Sequence, residues 1–454
     1  MAKPITLHKG YDIKLVGEAG FTLTDLPVSE VVAIKPPDFP GLVPKLMVEE
    51  GDEILAGQPL FFDKNNPTIK FVSSVSGEVA EIVRGAKRRI MEVRIIPDRG
   101  ERRYTQGTPA DPLLLSREKI IERLLEAGCW NYIRQRPFSL IANPEDTPKS
   151  IFVSCFDTAP LAPDLGYIID LEKENFQTGL VVLNQLAAGN LHVGIRAGAT
   201  EKDISADAFK IIAPERIHRV QGPHPAGNVG IQIHHLDPIQ KGEVVWYVHP
   251  QDVIIIGRLF REGRYRADRV IAFTGSSVTA PQYFRAVTGQ TLASILGGRL
   301  EADTARIIQG NVLTGATSSS DDFLSHYTNQ ITVIPEGDEP EFLGWLTPGI
   351  KKLSLSRTFF SWLFPNRNYQ LDTNMHGEER AFVMTGQYDK VLPMNIMPVI
   401  LLKSILARDI ERMEQLGIYE VSEEDFALCE FVCTSKIEVQ RIIAEGLEMV
   451  RLEG

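Results

Sequence analysis

Between Leu42 and Val83 the sequence is broken at short intervals by glycine and by turn residues, and no helix of useful length fits between the breaks. Gly51-Asp52 and Asn65-Asn66-Pro67 carry turn chemistry. Ile54, Leu60, Phe62, Ile69, Phe71, Val79 and Ile82 supply apolar positions at strand spacing. A chain containing this stretch must build a small module of short strands there, and everything else has to be arranged around it.

The stretch resembles the barrel-sandwich hybrid of biotinyl and lipoyl carrier domains, in which a Gly-Asp turn precedes a Gly-Gln-x-Leu strand and a Ser-Gly-x-Val turn closes the far side. Gly51-Asp52, Gly57-Gln58-Pro59-Leu60 and Ser76-Gly77-Glu78-Val79 are the matching residues. Carriers offer a lysine at the hairpin tip, and Lys64 stands near it. Asn and Pro follow, where a modifying enzyme would meet its own motif, so the module reads as structural.

At 454 residues the chain exceeds one hydrophobic core, and about two to four domains are expected. A net charge of −11 disfavours general affinity for nucleic acid. The basic runs Arg84–Arg89 and Arg99–Arg103 then read as solvated faces or docking patches. Four cysteines (Cys129, Cys155, Cys429, Cys433) do not make a disulfide framework, and Lys3, His8 and Lys9 interrupt any apolar leader, which together predict a cytoplasmic location. The most apolar window, Met394–Leu402, is halted by Lys403, short of the roughly 20 residues a spanning helix needs. Work at a membrane would be that of a peripheral subunit held by partners.

Four domains are expected: a leader and barrel-sandwich module over 1–99, a Rossmann-like α/β domain over 100–242, a β-grasp (SLBB-like) domain with a connecting segment over 243–350, and a helical C-terminal domain over 351–454, a degenerate ferredoxin-like unit. The leader is expected to pack on the module that follows it. Ser116 is placed to cap a helix closed by Gly128. Apolar runs at Ile151–Val153, Leu180–Leu183, Leu191–Ile195 and Ile217–Val220, separated by helical stretches such as Asp203–Lys210, predict a strand–helix alternation. Gly222, Gly227 and Gly230 are too loosely spaced for a dinucleotide fingerprint. Tyr247–Gly257, Arg269–Gly275 and Thr288–Leu292 read as strand, turn, strand and a short helix of a small β-grasp fold. Pro398–Gln415 reads as one helix, and Ser435-Lys436-Ile437-Glu438 as a capping box opening the last one. His218, His224, His234 and His235 lack the spacing of a zinc site.

The order of these parts resembles the flavoprotein-subunit family that includes the C subunit of the Rnf electron-transport complex and the NADH-binding subunit of respiratory complex I. Within it the resemblance is to the A subunit of sodium-translocating NADH:quinone oxidoreductases (Na+-NQR). It rests on Leu7–Ile13, Arg134-Gln135-Arg136-Pro137-Phe138-Ser139, Phe156-Asp157-Thr158-Ala159-Pro160-Leu161-Ala162, Gly194-Ile195-Arg196 and Phe273-Thr274-Gly275, and covers essentially the whole chain. The resemblance implies a translocase that passes electrons from NADH to ubiquinone and exports Na+ across the bacterial inner membrane. It further implies a six-subunit complex with FAD, FMN, riboflavin and an iron–sulfur centre in partner subunits, and a membrane-embedded flavoprotein among the neighbours of this chain.

Two departures from the wider family bear on this chain. Flavin-binding relatives set a Gly-Gly-Ala-Gly-Phe-Pro loop where this sequence has Trp130 to Phe138, and the bulky side chains argue against FMN here. Relatives with a four-iron cluster use four cysteines. Cys429 and Cys433 take the last two places and Glu423 and Phe426 the first two, so neither cluster nor metal site is expected, and the cysteines read as packed small hydrophobes, with a redox or intersubunit role as the alternative. No catalytic residues are assigned. Trp130, Tyr132 and Phe138 could wall a quinone ring, with Arg134 or Arg136 donating to its carbonyl oxygens. The competing account pairs these arginines with acidic neighbours such as Asp157 and makes the aromatics ordinary core. Other rivals are a plain scaffold with vestigial pockets and a soluble NADH-oxidising flavoprotein. The C-terminal helices and Arg84–Arg89 are candidate docks for membrane subunits.

Overall fold

The computed structural model describes residues 4–198, 206–301, 305–337, 349, 352–355 and 357–454. The glycine-broken stretch forms two small sheets face to face. Strand Ile90–Pro97 pairs with Val32–Ile34 on one side and Gly77–Arg84 on the other, with Glu53–Ile54 beyond. The facing sheet is Pro44–Leu46, Pro59–Asp63 and Lys70–Val72. Ile54, Leu60, Phe61, Phe71, Val79, Val93 and Ile95 fill the space between them, each essentially inaccessible. This is the barrel-sandwich hybrid, and Lys64 is exposed just past the strand Pro59–Asp63.

The leader does not stay with this module. Ile5–Thr6 runs parallel to Ile217–Gln221 at the edge of the α/β sheet, Gly20–Asp25 runs parallel to Gln282–Val287 at the edge of a third sheet, and only Val32–Ile34 joins the barrel. Short extended runs pair with whichever edge is presented, and nothing in their own residues names the partner.

The α/β sheet has Ile151–Ser154 at its centre, parallel to Leu191–Arg196 on one side and to Val245–Tyr247 on the other, and continues through Arg134–Arg136 to Leu140–Ile141. It therefore reaches past residue 242. Two predicted strands are helices. Leu180–Leu183 lies in the helix Lys173–Leu186, and Val253–Ile256 in the helix Pro250–Glu262, which covers the sheet rather than entering the β-grasp unit. The start of the second is encoded locally: the His249 side chain accepts from Gln251 N, Pro250 opens the first turn, and Gly263 closes it with φ +73°. Four apolar residues in a row fit a buried helix as well as a buried strand, and here both helices are buried against each other. Their closest approach is at Gly179 and Gly257, where an added Cβ would lie 2.1 Å from the Val253 carbonyl oxygen and 1.8 Å from that of Asn175. Of Asp203–Lys210, residues 203–205 lie outside the described residues, and Ala206–Phe209 is a 3-10 turn.

The third sheet runs from Ala316–Ser318 through Ala305–Gln309, Gln330–Pro335 and Asp268–Thr274 to Gln282–Val287, with the helix Leu292–Leu296 against it, a β-grasp arrangement. The C-terminal helices pack among themselves and on Leu7, Ile13 and Leu15. The predicted helix 398–415 is two, Pro398–Leu406 and Ile410–Gln415, broken at Arg408 (φ +57°), with Asp409 capping the second through Arg412 N. The predicted capping box does not form: the Ser435 hydroxyl donates to the Ala381 carbonyl, and the last helix begins at Val439. Its apolar stripe, Val439, Ile442, Ile443, Leu447 and Val450, is buried inside this cluster and is not a free docking face.

Candidate functional site

In an open α/β sheet, ligands bind outside the carboxyl ends of the strands where the order of connection reverses. Here that point lies beside Ile151–Ser154, since the chain passes first to Leu191–Arg196 on one side and later to Val245–Tyr247 on the other. One wall is the segment Phe156–Thr158. The Asp157 carboxylate accepts from Ala159 N (2.8 Å), the Thr158 hydroxyl bonds His224 Nδ1 (3.1 Å) and accepts from Gly227 N (2.9 Å), and Arg196 donates to the Asp157 carbonyl (3.0 Å). The other wall is Tyr247 with the segment Arg134–Phe138.

The longer segment Trp130–Phe138 divides into a buried half and a reachable half. Trp130 is 1% exposed, donates from Nε1 to the Ala142 carbonyl (2.7 Å) and meets Trp246 edge to face at 5.5 Å. Tyr132 is 0% exposed, shares a 2.7 Å hydrogen bond with the Tyr265 hydroxyl and stacks on His326 at 4.8 Å. Both belong to the main core. Arg134 is half-buried, its guanidinium 5.2 Å from the Tyr247 ring and 5.0 Å from that of Tyr327, and it donates to the Ser139 carbonyl. Arg136 is buried and also lies over Tyr247 at 5.2 Å. Phe138 is half-buried, edge-on to Tyr419 at 6.4 Å. The structure thus gathers Arg134, Arg136 and Phe138 near the crevice and sets Trp130 and Tyr132 behind it.

Arg136 is paired, though not with Asp157. It donates to Glu424 Oε1 at 2.5 Å and stands 3.9 Å from Asp425 Oδ2, so the C-terminal unit reaches into the crevice. The approach is held by a capping box at Ser422 and Asp425, by Asn228 Nδ2 donating to the Glu424 carbonyl (3.2 Å), and by Gly230, where a Cβ would lie 2.5 Å from Asp425 Oδ2. Sequence spacing gave no hint of this contact.

Burial pushes the Asp425 carboxyl up to about 6, outweighing the opposing pull of Arg136. A carboxyl raised in the folded state binds its proton more tightly there than in the unfolded chain. Its stabilising contribution is therefore complete below the ordinary value near 3.8 and is lost as pH rises through about 6. Wild type should accordingly gain about 1–3 kcal/mol on Asp425→Asn as pH falls from 7 to 4, by urea unfolding at each pH. A constant difference between the two proteins would refute the assignment.

Behind the segment lies a buried polar cluster that sequence reasoning missed. Arg269 pairs with Asp252 and donates to Asn329 Oδ1 (2.7 Å), while its guanidinium lies 5.6 Å from the Tyr132 ring. Gln251 donates to the same Asn329 oxygen (2.9 Å), His326 Nε2 bonds Asn131 Oδ1 (3.2 Å), and the Tyr327 hydroxyl donates to the Asn131 carbonyl (2.6 Å). Burial, with Arg269 nearby, pushes His249 down to about 3 and His326 well below its ordinary value, so both are neutral. The polar run Ser325–Asn329 just ahead of a strand was the available signal.

The place of a flavin-phosphate loop is taken by side chains with protein partners of their own. For a four-iron cluster, Cys429 and Cys433 are buried among apolar residues with Phe426 beside them in the same core, and the Cys433 sulfur accepts from the Tyr388 hydroxyl (2.9 Å). Burial raises the Cys429 thiol above its ordinary range. Among the described residues no group of three or more His, Cys, Asp or Glu is placed to hold a metal ion. His234 instead pairs with Glu420 (2.6 Å), and His218 with His192 (2.8 Å).

A barrel-sandwich hybrid, an α/β layer, a β-grasp sheet and a C-terminal helical unit together define a multidomain α/β and α+β protein. Residues 5–98 match the family model of the NqrA N-terminal barrel-sandwich hybrid domain, 115–265 that of the NqrA second alpha/beta domain, and 270–320 that of the NQRA C-terminal domain. The A subunit of the Na(+)-translocating NADH-quinone reductase of Yersinia pestis bv. Antiqua (strain Angola) is 38% identical over 457 residues, covering 99% of this chain and 100% of that protein. The corresponding A subunit of Neisseria meningitidis serogroup A is 38% identical over 452 residues with the same coverage. That of Rhodopirellula baltica is 37% identical, covering 99% of this chain and 98% of its own. A solved NAD+-reducing [NiFe]-hydrogenase in the air-oxidised state covers 76% of this chain and 64% of its own at a TM-score of 0.41 and 10% identity, a remote likeness. The chain belongs to the A-subunit family of Na+-translocating NADH-quinone reductases.

Proposed function

We propose that this chain is the peripheral A subunit of a respiratory sodium pump that oxidises NADH, reduces ubiquinone to ubiquinol and exports Na+, and that it contributes to quinone binding and to assembly of the complex. The observation that carries this reading is the 38% identity to named A subunits along 99% of the chain. Among the described residues, no helix is long and apolar enough to cross a membrane, in keeping with a subunit held at the cytoplasmic face by a membrane-embedded flavoprotein partner. The six-subunit complex, with FAD, FMN, riboflavin and iron–sulfur in its other members, belongs to the same proposal.

For quinone contact we favour the reachable half of the segment. Phe138 offers an apolar face and Arg134 a donor to a carbonyl oxygen that becomes more basic on reduction, with Arg136 behind them and Trp130 and Tyr132 as a rigid floor. Burial of Trp130 and Tyr132 favours the rival reading, a scaffold without a ligand. The two separate by equilibrium binding of a quinone analogue to the full chain. Phe138→Ala and Arg134→Gln should each weaken binding by about 1–3 kcal/mol at an unchanged unfolding temperature. Unchanged affinity in the folded variants would move the site to the membrane subunits.

A further inference from the structure

In a chain of net charge −11, the stretch from Phe342 to Leu371 contains no Asp or Glu, while Lys351, Lys352, Arg357 and Arg367 fall within it. It also holds a turn with apolar side chains in water. Phe360, Trp362, Leu363 and Phe364 are 44%, 50%, 51% and 47% exposed, with only Ser361 among them turned inward. A loop free to rearrange would fold these away. This one is tied down: Phe359 N donates to the Ser354 hydroxyl (3.0 Å), Phe364 N to the Ser361 carbonyl (3.0 Å) and Lys14 Nζ to the Pro365 carbonyl (2.9 Å). Past the turn, Tyr369 N donates to the Lys14 carbonyl (2.8 Å) and Val16 N to the Tyr369 carbonyl (3.0 Å), and Val16 is itself 44% exposed. The cations lie on the aromatics: Arg357 is 5.7 Å from the Trp362 ring and Arg367 5.6 Å from that of Tyr369.

Fixed aromatic and aliphatic side chains rimmed by guanidinium groups match one environment in particular. Trp and Phe rings favour the boundary between acyl chains and headgroups, and arginine favours the phosphates of an anionic leaflet. Apolar insertion or basic attraction alone gives marginal attachment, whereas the two together hold. An acidic protein is repelled by an anionic surface, and a stretch of 30 residues without Asp or Glu is where that repulsion is weakest. We propose that the turn Phe359–Pro365 is a membrane-seating shelf, with Trp362, Leu363 and Phe364 in the interface of an anionic phospholipid bilayer and Arg357 and Arg367 at its phosphates. The physiological role rests on the peripheral-subunit reading above, but the lipid contact itself needs no partner, so the two can fail separately.

The test is cosedimentation of the full-length protein with vesicles of equal parts phosphatidylglycerol and phosphatidylethanolamine, and with phosphatidylcholine vesicles. The wild type should bind the anionic vesicles. Trp362→Ser with Phe364→Ser should lower its partition coefficient about tenfold or more, and Arg357→Gln with Arg367→Gln about severalfold on anionic lipid with little change on phosphatidylcholine. Unfolding temperatures check that the shelf alone was altered. Should the serine variant not fold, quenching of wild-type tryptophan fluorescence by brominated phosphatidylglycerol, removed in Trp362→Phe, reads the same contact. Absence of wild-type binding, or binding indifferent to these substitutions, overturns the proposal. So does a variant that leaves vesicle binding untouched and loses only copurification with membrane subunits in detergent, which would make the shelf a protein dock.

Discussion

Arg269→Ala is expected to destabilise the chain by about 3–5 kcal/mol, measured by urea unfolding at neutral pH. The side chain is wholly inaccessible, and its removal leaves the Asp252 carboxylate, itself almost fully buried, without its ion-pair partner and with only Arg134 to offset its charge. His249 and His326 cannot take over the positive charge, because burial holds both in the neutral form. The larger part of the loss is thus desolvation of an unpaired anion, not the worth of the pair. Replacing both members with apolar residues of similar size, Arg269→Met with Asp252→Leu, should recover most of it. A single variant that loses less than about 1 kcal/mol would mean that water reaches the cluster.

Trp130→Ala is expected to cost a similar amount, about 3–5 kcal/mol, through the cavity it leaves and the orphaned Ala142 carbonyl. The consequence for function can be read separately from Phe138. If Trp130 is floor and not wall, the variant lowers the quantity of folded protein while the folded fraction keeps its affinity for a quinone analogue. An affinity loss at full folding would bring the indole into the pocket. Unfolding temperature and binding measured on one sample distinguish the two.

Much of the architecture was legible because its signals are local. Gly51-Asp52 and the alternation from Ile54 to Val79 specify a hairpin module wherever they occur, and Ser116, which accepts from Lys119 N, starts its helix as its position predicts. Errors fell where a choice is decided at a distance. Leu180–Leu183 and Val253–Ile256 lie in helices buried against each other, with Gly179 and Gly257 at their contact, and no short apolar run states that. The candidate site was half legible. The substitution of bulky residues for a glycine loop is visible in sequence, whereas the arrival of Glu424 and Asp425 at Arg136 depends on how the C-terminal unit docks.

The path of the first thirty-odd residues sets a timetable for synthesis. Ile5 pairs with Val220, and Leu23 with Tyr283, so these strands leave the ribosome well before the partners they wait for. The barrel, whose strands lie close together in sequence, can close while the rest of the chain is still being made, but the strands Ile5–Thr6 and Gly20–Asp25 are sealed only when the α/β and β-grasp sheets exist to receive them. These early-made strands are then among the last to settle, and they tie the barrel to the α/β and β-grasp sheets.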